Sequence, residues 1–147
     1  MQQIKWGIIG PGSIATAFAH SIKNVANSKL ISVFGRNIEK AKNFANEFQI
    51  SSHNNLEDFI SSPDLDAVYI ATPHSEHFVF TLEAIKHGKH VLCEKPFTMN
   101  AYESMVLIDL AQTSKVFLME AFMYRTHPQT ANILNNLNFI SDCNKKI

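Results

Sequence analysis

In the stretch "HVLCEKPF", His90 to Phe97, a glutamate and a lysine stand side by side where an apolar run stops, with a proline behind them. A lysine in a partly dehydrated cleft exchanges its proton more readily than one in water, and its ammonium can donate to an alkoxide. Lys95 is therefore a candidate proton-transfer group. Glu94 is placed to hold a ligand hydroxyl or to orient the lysine, and Pro96 to fix the chain behind both. An isolated Glu-Lys pair is usually a solvated surface feature, but the apolar strand leading into this one argues for a site.

A second group lies near the N-terminus, where "IKWGII" runs directly into "GPGSIA", Gly10 to Ala15. This is the GxGxxA form of the dinucleotide fingerprint: Gly10 permits a tight turn, Gly12 lets a pyrophosphate approach the backbone, and Ala15 lets helix and strand pack closely. Pro11, Ser13 and Ile14 complete the turn and begin a helix whose free amides face the phosphates. Alone the motif is weak; a strand before it and a helix after it give it weight. After the second strand, where an NAD-selective site carries an acid, the chain reads "FGRN". Arg36 can pair with a 2′-phosphate and stack on adenine, so NADP is the expected cofactor, with NAD left open. The competing reading is a solvated surface arginine. In "ATPHSEH", Thr72 and Pro73 end a strand, and His74 and His77 fall three residues apart. No cysteine or further histidine nearby completes a coordination set, so no metal is expected and the turn is read as lining the cofactor.

These groups need elements that bring them together. Short Val- and Ile-rich runs alternate with amphipathic stretches, which is the pattern of repeated βα units. The strands are "IKWGII", "LISVFG", "AVYIAT", "HVLCE" and "VFLME", with a weaker one near Ile50 to His53. Helices are predicted over Ser13–Val25, Ile38–Phe48, Leu56–Ser61, Ser75–His87, Asn100–Thr113 and Pro128–Leu137. Asn100 and Glu103 have capping-box spacing, and Gly88 ends the helix before them. The expected fold is a Rossmann-type, doubly wound α/β domain over residues 1–137, a mainly parallel sheet with helices on both faces. In such a sheet ligands bind at the carboxyl ends of the strands, and Gly10, Arg36, Thr72, Glu94, Lys95 and Glu120 all follow strand ends.

Composition narrows the function. The 147 residues are 46% hydrophobic, ordinary for one domain with a proper core. Thirteen basic residues balance thirteen acidic ones, so nothing gathers nucleic acid or an anionic membrane. The start of the chain shows no signal-peptide pattern and no later run approaches a membrane span, so a cytoplasmic protein is expected. Two cysteines, Cys93 and Cys143, are too few for a disulfide scaffold and are expected reduced.

"GIIGPGSIA", "YIATPHSEH", "VLCEKPFTMN" and "FLMEAFMYRTHP", in this order and spacing, resemble the N-terminal domain of the Gfo/Idh/MocA oxidoreductases. "LCEKP" followed by "FLMEAFMYR" looks most like the branch of dimeric dihydrodiol dehydrogenase and NADP-dependent xylose dehydrogenases. The resemblance implies that Lys95 is the proton donor or acceptor, that His77 lies near the nicotinamide ribose, and that Arg125 sits at the nicotinamide end. It also implies a sugar or diol as small-molecule substrate, and a second, substrate-binding domain that makes the full-length form a homo-oligomer. Residues 138–147 would be a tail at the start of that domain, and this chain a fragment or shortened product. The expected function is hydride transfer between NADP(H) and a hydroxyl carbon. The alternative is a stand-alone NADP-binding module without turnover.

Overall fold

The computed structural model describes residues 3–144. Residues 145–147 lie outside them, as do the side chains from position 137 onward, including the Cys143 thiol.

Six strands form one sheet: β1 (Ile4–Ile9), β2 (Ser28–Phe34), β3 (Ser51–His53), β4 (Ala67–Ile70), β5 (His90–Cys93) and β6 (Leu118–Glu120). Their order is β3-β2-β1-β4-β5-β6, and every pairing is parallel. This is the doubly wound order, with its switch point between β1 and β4. Six helices complete the fold: α1 (Ser13–Ile22), α2 (Ile38–Phe48), α3 (Leu56–Ile60), α4 (His77–Lys86), α5 (Ala101–Ser114) and α6 (Pro128–Asn144).

Because strand side chains alternate faces, one sequence feeds two cores. Ile8, Val33 and Tyr69 join Ala15, Ala19, Phe44 and Phe48 of α1 and α2 on one face. Ile9, Phe34, Val68, Ile70, Val91 and Cys93 pack on the other against Phe59, Phe80, Ile85 and Leu107 of α3, α4 and α5. Leu107 and Ile85 are almost wholly buried, so truncating either to alanine removes about 2–5 kcal/mol.

Local signals set the ends. Asn37, Asn55 and Asn100 each accept an amide of the following first turn through their side chains, capping α2, α3 and α5. Glu103 answers Asn100 by accepting from its side-chain amide and from the Met99 N–H. Several boundaries differ from expectation, α1 ending at Ile22 rather than Val25 and β6 starting at Leu118 rather than Val116 among them. β4 stops at Ile70, so Thr72 lies two residues beyond it. The stretch before α4 winds as a 3₁₀ turn, His74–Glu76, before the α-helix proper begins. α6 runs on to Asn144, where the sequence shows no clear period, across the expected boundary at 137.

Candidate active site

The sheet hydrogen-bonding continues one residue past each strand on its carboxyl edge, and this aligns the site. Gly10 N–H donates to Phe34, Ala71 N–H to Ile9, Glu94 N–H to Ile70 and Ala121 N–H to Cys93, all at 2.8–3.0 Å. Gly10, Ala71, Glu94 and Ala121 therefore stand in one row, and the chemistry-bearing residues leave from it.

Gly10 turns the chain with φ +96, a conformation L side chains rarely adopt, and a Cβ there would meet Thr72 Cγ2 at 2.9 Å. Gly12 is different: its Cβ position has nothing within 4 Å. It precedes α1, whose first turn carries no side-chain cap and no acid. The amides of Ser13 and Ile14 have no acceptor among the described residues, which is the arrangement an anion fits. Pro11 packs on the position a Gly35 side chain would fill, drawing the first two turns together.

From this turn a cleft of about 380 Å³ opens between β1, β2 and β4, lined by Gly10, Pro11, Gly12, Arg36, Thr72 and Glu76 among others. Arg36 forms an ion pair with Glu76, Nη1 to Oε1 at 2.7 Å, from its exposed position at the rim. Lys40, on the first turn of α2, lines the same cleft. Two atoms lining it are buried without a hydrogen-bond partner among the described residues, Thr72 Oγ1 and Glu76 Oε2. Orphaned buried polar atoms are costly unless a ligand or water completes them. The open space at Gly12, the free amides and the two cations fit a dinucleotide with its phosphates on α1 and its adenosine towards Arg36.

Thr72 also lines a second cleft of about 270 Å³, with Ile14, Ala71, His74, Glu94, Lys95 and Met123. Glu94 is buried there: its Oε1 accepts the Tyr69 hydroxyl at 2.5 Å and its Oε2 the Lys95 N–H at 3.2 Å, and each oxygen keeps a further lone pair. Burial, then the hydrogen bond to Glu94, pushes the Tyr69 phenol well above its usual range, which keeps it a donor. Phe18 stacks on that ring at 4.1 Å. Glu94 thus fixes the backbone of Lys95 rather than its ammonium. Lys95 itself is exposed at the cleft mouth, so the dehydration expected from its sequence setting is not supplied by these residues. The Lys95–Pro96 bond is cis.

His77, which the resemblance puts near the nicotinamide ribose, is buried. It has no exposed surface, and its two ring nitrogens contact the Thr72 and Pro96 carbonyl oxygens, each at 2.9 Å. One ring N–H donates to one of these carbonyls, and the ring bridges the turn after β4 and the turn after β5. His74 is exposed and lines the second cleft, its ring 5.7 Å from that of His77. Arg125 is exposed on the 3₁₀ turn Met123–Thr126, of which Met123 reaches the second cleft. Glu120 accepts the Phe97 N–H at 2.8 Å and so braces the lysine turn from β6. Sequence reasoning missed Tyr69, Glu76 and Lys40. A buried acid needs a donor, which would have pointed to Tyr69, and Lys40 lies four positions after Arg36, on the first turn of the next helix.

A model of the oxidoreductase family with an NAD-binding Rossmann fold matches residues 4–122. The chain belongs to this Gfo/Idh/MocA family. Among Gfo/Idh/MocA relatives, a trans-1,2-dihydrobenzene-1,2-diol dehydrogenase of Xenopus tropicalis is 36% identical over 84% of this chain and 38% of its own length. An NADP(+)-dependent D-xylose 1-dehydrogenase of Hypocrea jecorina is 35% identical over 88% of the chain and 37% of its own. A 3-ketoreductase from Actinomadura kijaniata, solved with NADP, superposes with a TM-score of 0.87 at 28% identity, covering 93% of this chain and 44% of that one. The chain spans less than half the length of these relatives. Within the family it is a dinucleotide-binding oxidoreductase domain.

Proposed function

We propose that this domain binds NADP(H) and serves hydride transfer between the nicotinamide and a hydroxyl-bearing carbon of a sugar or related diol. The observation that carries the reading is the meeting of two clefts at Thr72, one prepared for phosphates and the other holding Lys95. The free amides of α1 take the pyrophosphate, Arg36 and Lys40 take the 2′-phosphate, and Thr72 stands where the two halves join. A bound nicotinamide supplies the hydride chemistry. Lys95 then moves the proton of the substrate hydroxyl at its Nζ, aimed by the Glu94 contact to its own N–H. Relatives named for diol and xylose substrates support the substrate class.

The exposure of Lys95 leads us to expect that the 147 residues alone bind cofactor with little turnover, and that substrate or further protein supplies the dehydration. We place the protein in the cytoplasm with Cys93 as a packing residue, since burial pushes that thiol up to about 12 and keeps it protonated. The test pairs NADPH affinity, read by fluorescence, with oxidation of a panel of sugars and diols by the catalytically competent protein. Lys95→Met is expected to leave NADPH affinity nearly unchanged and to lower turnover by about 10² to 10⁴. A Lys95→Met protein that keeps its rate overturns the role given to Lys95, and failure of the wild type to bind NADPH overturns the cofactor reading.

A further inference from the structure

Glu76 brings a negative charge into the cleft prepared for an anion. Its Oε1 lies 2.7 Å from Arg36 Nη1 as an ion pair, and the two side chains differ in exposure, 71% for Arg36 against 20% for Glu76. The carboxylate is therefore the fixed partner and the guanidinium the mobile one. Its other oxygen, Oε2, is buried with no partner among the described residues. The carboxylate as a whole lines the cleft and can only accept, so a ligand there meets it through donors. The adenosine of a dinucleotide offers such donors in its exocyclic amine and its ribose hydroxyls. NADP(H) lacks the 2′-hydroxyl and carries a phosphate dianion in its place.

We propose that Glu76 is a specificity-determining residue that opens this cleft to both cofactors, weakening the hold on the 2′-phosphate of NADP(H) and accepting from the 2′-hydroxyl of NAD(H). The inference rests on the dinucleotide reading of the cleft given above. Two effects of Glu76 on the phosphate compete. By holding the guanidinium it could pre-position Arg36 for the phosphate, but an ion pair with an arginine this exposed contributes little and orders it weakly. By its charge it repels the dianion, and a carboxylate four-fifths buried is screened far less than a surface one. Repulsion therefore wins, and Arg36 with Lys40 gives a modest preference for NADP(H) where two unopposed cations would give a strong one.

The test is fluorescence titration of wild type, Glu76→Gln and Glu76→Asp with NADPH and with NADH at low ionic strength. Glu76→Gln keeps the shape and removes the charge. It is expected to move the ratio of the two affinities towards NADPH by about fivefold or more, with NADH binding unchanged or weaker. Glu76→Asp keeps the charge and is expected to hold the ratio near that of the wild type. A Glu76→Gln ratio that stays put or moves towards NADH overturns the proposal, and so does a Glu76→Asp protein that shifts as far as Glu76→Gln. The ratio is measured on one preparation, so a fraction of misfolded chain does not move it. A wild type that binds neither dinucleotide overturns the cofactor reading and this inference together, whereas binding with an unmoved ratio overturns this inference alone.

Discussion

Gly10 and Gly12 belong to one motif and do opposite things. At Gly10, φ is positive and a Cβ would press on Thr72 and the Ala71 carbonyl, so Gly10→Ala strains the fold and is expected to cost more than about 1 kcal/mol of stability. At Gly12, φ is −110 and the space is open, so Gly12→Val is expected to change stability by no more than about 0.5 kcal/mol. Its side chain would stand where the pyrophosphate approaches, and NADPH affinity is expected to fall at least about tenfold. Denaturant melts and cofactor titrations on both variants check this; a Gly12→Val protein that binds like the wild type removes the phosphate from this turn. Such residues were legible in the sequence because their types answer to backbone geometry. Tyr69, Glu76 and the buried role of His77 were not, because each depends on a contact between segments that the chain brings together only on folding. Tyr69 and Glu94 are 25 positions apart.

The elements were legible for a related reason. Strands buried on both faces must be apolar throughout, as "AVYI" of β4 is, and Asn at three helix starts marks where α2, α3 and α5 begin. The far end of α6 was not, because it lacks the apolar stripe that packing against the sheet imposes. Where helices meet, ionisation enters. His87, at the end of α4, contacts the Glu83 carbonyl through Nδ1 at 2.9 Å and the Glu57 carboxylate of α3 through Nε2 at 3.2 Å. The carbonyl bond and then Glu57 hold its proton above the usual histidine range, partly opposed by burial. Only the imidazolium donates to both. Its folded value is raised, so its stabilisation is full below the unfolded value of about 6.5 and disappears as pH rises through the folded one. The stability lost in His87→Gln is expected to be larger at pH 5.5 than at pH 8, by about 0.5 kcal/mol given the exposure of Glu57. Equal losses at both pH values would show that the neutral ring does all the holding.

At the scale of the molecule, the sheet order decides where everything lies: β1 and β4 are neighbours, so the Gly-rich turn and Thr72 flank one opening, while β5 and β6 carry the lysine turn and its brace to one side. That side also carries uncovered apolar surface. Tyr102, Met105 and Ile108 follow one another at helical spacing along α5 and are 75%, 63% and 45% exposed, and β6 is an edge strand with Phe117 exposed just before it. Beside them a cavity of about 340 Å³ is lined by Phe97, Ile108, Val116 and Leu118. An apolar stripe next to an unpaired strand edge promotes association. With formal charges of +0 in balance, no net repulsion keeps copies apart. The chain is therefore expected to self-associate reversibly as concentration rises, by sedimentation velocity, and to do so undiminished at high salt because the contact is apolar. Met105→Lys together with Ile108→Lys is expected to restore a monomer while changing stability little, since Met105 is mostly exposed and Ile108 half so. A wild type whose sedimentation coefficient is independent of concentration would show that this stripe is too small or too scattered to hold a second surface.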